Sequence, residues 1–189
     1  MSSINHGLVN QMEPWKSHQI RLLRSQVHRP MLVYFLPETA ASQARWLEEG
    51  RRNAERLVKA WERMLRPVAF VGETWRLGFA SGSASVGRPR PGDLYFAISS
   101  GSLLRDRNFQ CLDSDLGAPA LVLAGGSVEQ TILPTAVDCA LNTRPAFVAS
   151  DAIFSRSPEM WGDIERAVQR SIISNYANVL TTKELINER

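Results

Sequence analysis

The stretch that decides the fold runs from residue 121 to residue 140: Leu121-Val-Leu-Ala-Gly-Gly-Ser-Val-Glu-Gln-Thr-Ile-Leu-Pro-Thr-Ala-Val-Asp-Cys-Ala140. Its apolar start predicts a buried strand, and the two glycines predict a turn. The rest predicts a helix in which Pro134 lies in the first turn, where its missing N–H is tolerated. Such a junction directs backbone N–H groups at one point, which suits a carboxylate or a developing oxyanion. A tight strand-to-helix turn also explains the glycines without any ligand.

The same alternation of strand and helix extends in both directions from this junction. We predict strands over residues 31–36, 67–71, 93–98, 118–124, 145–149 and 178–180. We predict helices over residues 15–27, within 40–65, within 103–116, over 130–141 and from Ser157-Pro158-Glu159 onward, with a final turn that begins at a Thr181/Glu184 capping box.

Repeated β–α units predict an α/β fold, a three-layer α/β/α sandwich around a six-stranded, mostly parallel sheet. Ligands of such sheets lie beyond the carboxyl ends of the strands. We expect residues 1–14 to form a flexible N-terminal arm and residues 15–189 to form one domain.

The composition is that of an ordinary globular protein, with 44% hydrophobic and 22% charged residues. No apolar run reaches the ~20 residues of a membrane span, and the polar start lacks a signal peptide, so we expect a cytoplasmic protein without membrane contact. The net charge is +3 and the pI about 9.2. Arginines and glutamates alternate over residues 45–66, which predicts a solvated face of mixed charge and no nucleic-acid partner.

Four short motifs resemble those of one known superfamily. Thr135-Ala136 and Asp138 follow the glycine turn, and residues 146–152 look like a strand that ends in Asp-Ala. Residues 178–185 look like a C-terminal signature, and Arg90-Pro-Gly-Asp93 looks like a turn before a strand. Together they resemble the isochorismatase-like (cysteine hydrolase) superfamily from about Arg88 to the C-terminus. The resemblance implies its Rossmann-like α/β/α fold.

The resemblance also implies where catalytic residues would lie. In that superfamily an Asp after the first strand takes the thiol proton, a Lys after the third strand holds charge, and a Cys at the helix start attacks a carbonyl. By position the Asp becomes Phe35, the Lys becomes Ile98 or a close neighbour, and the Cys becomes Thr131. Two of the replacements carry no charge, and a threonine hydroxyl needs a base that Phe35 does not supply.

Few residues offer themselves as substitutes. Glu38 and Glu73 are the carboxylates that follow the first two strands, although such residues are more often solvated loop residues. Cys139 lies ~12 Å along the helix from Thr131, which predicts a small core residue, and Cys111 is expected on a surface helix. The histidines all precede the first strand, which argues against a Ser–His pair and against a metal cluster. We therefore expect no metal and no cofactor.

Three functions remain open. The first is a non-hydrolytic scaffold that binds a small molecule or a protein, and the second is a divergent hydrolase or lyase that uses Thr131 with Glu38 or Glu73 on a small carbonyl or carboxylate compound. The third is an ordinary hydrolase whose first two catalytic positions are misaligned. Self-association as a dimer or higher oligomer is expected in each case. The expected ligand-binding residues are Phe35, Glu73, Trp75, Ile98, Ser127, Val128 and Thr131.

Overall fold

Six strands form one sheet in the computed structural model, which describes residues 29–36, 45–72, 93–98, 101–154 and 170–186. All the pairings are parallel, and the spatial order is β3-β2-β1-β4-β5-β6. The strands are β1 (Met31–Phe35), β2 (Val68–Gly72), β3 (Leu94–Ala97), β4 (Leu121–Gly126), β5 (Ala146–Phe154) and β6 (Asn178–Leu180). The predicted six-stranded α/β sheet is therefore confirmed, and it is parallel throughout.

The two central strands, β1 and β4, are buried along their whole length. A parallel sheet is covered on both faces, so its central strands are continuous apolar runs. Alternate residues of β1 enter two different cores. Met31, Val33 and Phe35 face one side of the sheet, while Leu32 and Tyr34 face the other.

Helices cover both faces, which gives the three predicted layers. The helices are α1 (Arg45–Arg63), α2 (Arg107–Asp115), α3 (Leu133–Leu141) and α4 (Thr182–Ile186), with a 3₁₀ turn at Leu103–Arg105 and a π-helical turn at Val128–Ile132. Helices α1 and α4 pack on the face of Tyr34, where Trp61 is buried. Helices α2 and α3 pack on the face of Phe35 through Phe109 and Cys139. No helix in the described part of the chain is long and apolar enough to cross a membrane.

Some element boundaries differ from the sequence-based expectation. Strand β4 begins at Leu121 rather than at residue 118, because the backbone of Ala118 is left-handed, with a φ of +50°, and does not continue a strand. Strand β5 continues to Phe154 because it pairs with β4 again beyond an irregularity. Leu123 is opposite Val148 and Gly125 is opposite Ile153, so β5 contains three extra residues between these pairs. The helix predicted over residues 15–27, the N-terminal arm and the start of the helix predicted from Ser157 lie outside the described residues. Of the last helix, residues 170–173 are described, and they are helical.

Asp151, in the Asp-Ala pair of the resemblance, connects β5 to the C-terminal helix α4. The Asp151 carboxylate accepts hydrogen bonds from the Thr182 backbone N–H at 2.7 Å and from its hydroxyl at 2.8 Å. The predicted capping box is confirmed, because the Thr181 N–H donates to Glu184 Oε2 at 2.7 Å and the Glu184 N–H donates to Thr181 Oγ1 at 3.3 Å. The Asp-Ala pair and the C-terminal signature thus stabilise each other.

Gly125 brings β4 against β1 at the carboxyl edge of the sheet. Its φ is +102°, and a Cβ at this position would lie 1.9 Å from the Phe35 carbonyl oxygen. Only glycine fits a backbone that is both left-handed and this close to its neighbour.

Arg144 is a buried cation at the opposite, amino edge of the sheet. Its guanidinium donates to both carboxylate oxygens of Asp113, at 2.7 and 2.6 Å, and to the Pro119 carbonyl oxygen from two nitrogens. The side chains of Arg144 and Asp113 are only 7% and 15% exposed. This fork connects α2, the entry to β4 and the entry to β5.

We predict that Gly125→Ala lowers the free energy of unfolding by more than about 3 kcal/mol, because it adds backbone strain and a steric clash. The matched control is Gly117→Ala, whose φ is +72° but whose Cβ would meet nothing within 4 Å. The control should lose only about 1–2 kcal/mol. Equal losses in urea denaturation would show that the contact with Phe35 does not matter.

We predict that Arg144→Met lowers the free energy of unfolding by about 3–5 kcal/mol, because it leaves the Asp113 carboxylate without its partner. Adding Asp113→Leu should recover part of this loss. The exposed Arg107 on α2 is the control, and Arg107→Met should change stability by less than about 0.5 kcal/mol. A small effect of Arg144→Met would mean that solvent replaces the buried fork.

Candidate functional site

The three positions that the resemblance assigns to catalysis lie at the carboxyl edge of the sheet, on one of its faces. Phe35 ends β1 and is opposite Val71 of β2, which is opposite Phe96 of β3. Ile98 lies two residues beyond Phe96 and therefore projects to the same face. Adjacent strands are ~4.8 Å apart, so β3 is ~10 Å from β1. Thr131 lies in the π-helical turn that follows β4.

The surroundings of these positions are apolar. Phe35 is 1% exposed, and it belongs to the core cluster that also contains Val128 and Ile132. Ile98 is half-buried against the same cluster. At the two positions where the resemblance expects an acid and a lysine, the site therefore offers only hydrocarbon.

The Thr131 hydroxyl is already engaged. It is buried, and it donates to the Ser127 carbonyl oxygen at 2.8 Å, with a longer contact of 3.4 Å to the Gly126 carbonyl oxygen. A carbonyl oxygen accepts a hydrogen bond but does not remove the proton. The hydroxyl is therefore held in a geometry that caps the backbone, as threonines often do within helices.

The π-helical turn has a cause in the sequence. Pro134 has no N–H, so the Gln130 carbonyl oxygen receives no bond from it. That oxygen instead accepts the Gly101 N–H at 2.7 Å, from the loop after β3. The Ile132 N–H reaches back to Ser127 at 3.2 Å and the Leu133 N–H to Val128, both five residues away. The helix therefore begins at Val128, earlier than the predicted Gln130.

The first turn of this helix is the polar part of the site. The N–H groups of Val128 and Gln130 lie in the first turn, where a helix has no carbonyl of its own to accept them. The Ser127 hydroxyl donates to the Glu129 carboxylate at 2.8 Å, in an exposed position. Val128 is buried in the core, so its side chain supports the turn and only its backbone can face a ligand.

The Thr-Ala-x-Asp motif fastens the loop after β3 to α3. The buried Thr135 hydroxyl accepts the Leu103 N–H at 3.1 Å. Asp138 accepts a two-point contact from Arg105, at 2.9 and 3.1 Å, and this guanidinium together with Ser102 holds the pKa of Asp138 below its ordinary range. Residues that mark the resemblance are thus positioning residues for the loop that follows Ile98.

Sequence reasoning missed Ser102 and Arg105 in this fastening. Ser102 caps the 3₁₀ turn by accepting the Leu104 N–H at 3.2 Å, and Asp106 caps α2 by accepting the Phe109 N–H at 2.8 Å. Ser102 and Asp106 are residue types that commonly precede a helix, so the sequence did contain a signal for these two caps. The pairing of Arg105 with Asp138 had no signal, because it joins elements that are distant in sequence.

The cysteines behave as predicted from the sequence. Cys139 is fully buried in the core beneath α3, and burial raises the pKa of its thiol to about 12. Cys111 is exposed on α2. Neither lies at the carboxyl edge of the sheet.

Other predicted site residues cannot be placed. Glu38, Glu73 and Trp75 lie outside the described residues, as do the three histidines. Among the side chains that the structure describes, no group of three His, Cys, Asp or Glu residues could hold a metal ion.

Comparison with known proteins identifies the fold. No protein-family model matches the chain, and no curated protein matches it. Solved structures do match. An isochorismatase from Pseudomonas putida superposes with a TM-score of 0.69 at 14% identity, over 84% of this chain and 90% of that one.

Two further structures agree. A protein described as an isochorismatase hydrolase, from Oleispira antarctica, gives a TM-score of 0.68 at 20% identity over 86% of this chain and 98% of that one. A cysteine hydrolase from Pseudomonas syringae gives a TM-score of 0.68 at 14% identity, over 87% of this chain and 94% of that one. This chain therefore has the isochorismatase-like hydrolase fold, as its motifs predict.

Proposed function

We propose that this protein is a non-hydrolytic scaffold with the isochorismatase-like fold that binds a small carbonyl or carboxylate compound at the carboxyl edge of its sheet. The observation that carries the proposal is the hydrogen bond of Thr131, whose buried hydroxyl donates to the Ser127 carbonyl oxygen. Phe35 and Ile98, at the other two positions, have no group that exchanges a proton or holds a charge.

The requirements of acyl transfer explain why we expect no hydrolysis from this arrangement. A hydroxyl attacks a carbonyl only when a base removes its proton, and a base in reach contributes typically ~10²–10⁴ in rate. Phe35 occupies the position where that base would lie. A positive charge near the developing oxyanion is the second requirement, and Ile98 does not supply it.

Binding needs less than catalysis does. The first turn after β4 presents the N–H groups of Val128 and Gln130, and a helix N-terminus favours an anionic or carbonyl oxygen. Phe35 and Ile98 supply an apolar wall beside it. Trp75, outside the described residues, remains a candidate for the same wall. This combination suits a small, flat compound with one carboxylate or carbonyl group.

The alternative is a hydrolase or lyase with rebuilt chemistry. The solved structures with this fold are described as hydrolases, which favours retained catalysis. Such an enzyme would use Thr131 with Glu38 or Glu73 as the base. The bond from Thr131 to the Ser127 carbonyl argues against it, because the hydroxyl would first have to break that bond and turn toward a carboxylate.

We predict no turnover of amides or vinyl ethers above the uncatalysed rate, with the wild type and Thr131→Ala indistinguishable. The assay is a substrate panel followed by chromatography, and thermal unfolding confirms that each variant is folded. Robust wild-type turnover that Thr131→Ala abolishes would replace the scaffold proposal by the rebuilt enzyme. Loss of that turnover in Glu38→Gln or Glu73→Gln would identify its base.

We also propose that the chain self-associates, at least as a dimer. Two leucines among the described residues are exposed at the ends of the helices that cover the face of Phe35. Leu116, which follows α2, is 44% exposed, and Leu141, the last residue of α3, is 76% exposed. Light scattering at micromolar concentration should report at least twice the 21.1 kDa of one chain. Leu141→Glu should shift the equilibrium toward the monomer. A monomeric wild type would contradict the proposal.

A further inference from the structure

The outer face of α1 carries a line of positive charges. Arg52, Arg56, Lys59 and Arg63 are all exposed, and their spacing of four, three and four residues places them on one side of the helix. They form the α1 basic stripe, which is ~17 Å long at 1.5 Å per residue. The opposite side of α1 is buried against the sheet through residues that include Leu57 and Trp61.

The acidic residues of α1 border this line on both sides. Glu48 and Glu55 lie beside the stripe, and both are engaged by Arg51, at 3.0 and 3.7 Å. The exposed Glu49 and Glu62 lie at its margins. With the residues that the structure describes, no member of the stripe forms an ion pair.

Such a stripe is unfavourable for the isolated helix. Like charges three and four residues apart repel one another, and Glu48 and Glu55, four residues before Arg52 and Lys59, offset part of this repulsion. The four cations also contribute strongly to the net charge of +3 and the pI of about 9.2. A polyanion aligned with the helix axis would relieve this repulsion along its whole length.

The chemistry of the stripe favours phosphates over other anions. Three of its four members are arginines, whose planar guanidinium groups match phosphate oxygens with two parallel hydrogen bonds. The stripe includes no apolar or aromatic side chain, which a protein partner would need as an anchor. Since the apolar face of α1 is buried, the helix also cannot insert into a bilayer.

We propose that the α1 basic stripe binds the phosphate backbone of nucleic acid without reading the base sequence. A line of ~17 Å is as long as the rise of about five base-pair steps along the axis of a duplex, at 3.4 Å each. This proposal departs from the expectation of no nucleic-acid partner, which treated the alternating sequence as a face of mixed charge.

The stripe and the Thr131 site are independent. Helix α1 packs on the sheet face of Tyr34, and Thr131 lies with Phe35 and α3 on the other face. A change in one is therefore not expected to move the other. Loss of small-molecule binding in Thr131 variants would leave the nucleic-acid proposal intact, and the reverse also holds.

The test measures binding of a fluorescent 20-base-pair DNA duplex by anisotropy between 50 and 200 mM salt. Four phosphate contacts predict a slope of about −3.6 for the logarithm of the association constant against the logarithm of salt, so affinity should fall on the order of 10²-fold over this range. Arg56→Gln/Arg63→Gln should reduce the slope to about −1.8 and weaken binding at least about tenfold.

The matched control is Arg107→Gln/Arg170→Gln, which removes the same charge from exposed positions away from α1. We expect this control to bind as the wild type does. Equal weakening by both double variants would overturn the proposal in favour of diffuse net charge, and no binding by the wild type would overturn it outright. Labelled polyglutamate or anionic phosphatidylserine vesicles bound as tightly as the duplex would assign the stripe to an acidic protein or to a membrane surface instead.

Discussion

The close approach of β4 to β1 at Gly125 is the constraint on which the carboxyl edge of this protein depends. The position requires a residue without a Cβ, because the Phe35 carbonyl oxygen occupies the space that a side chain would need. From this contact the chain passes through Gly126 and Ser127 into the turn that holds Thr131. The site is thus built on a backbone contact between central strands.

A second group of interactions fixes what surrounds that contact. Pro134 frees the Gln130 carbonyl oxygen, which binds the loop after β3, and Thr135 and Asp138 hold the same loop further on. At the other end, Asp151 binds Thr182. Thr135, Asp138, Asp151 and Thr182 belong to the motifs that carry the sequence resemblance. Their observed partners are backbone groups and neighbouring side chains. The scaffold can therefore be retained when the reactive residues differ, because the two sets do not overlap.

The two faces of the sheet consequently present different surfaces. On the face of Phe35, the strand ends are apolar and a helical turn follows β4, and this is where we propose that a small ligand binds. On the face of Tyr34, α1 covers the core and turns a line of cations outward. An amphipathic helix buries one side only, so its outer side is free to acquire a charge pattern that the fold does not need.

The sequence by itself determined the strand–helix alternation, the parallel sheet, the capping box at Thr181 and the core position of Cys139, because each depends on local periodicity or on a short motif. It also determined that Phe35 and Ile98 lie at strand ends and that Thr131 lies at the start of the helix after β4. Only the tertiary structure decided that the Thr131 hydroxyl bonds to Ser127, that Arg105 reaches Asp138 and that Arg144 is buried with Asp113. These contacts join groups whose partners depend on three-dimensional packing or on an irregular helical turn. Hydrophobic periodicity specifies which face is buried, but it does not specify which polar groups meet there.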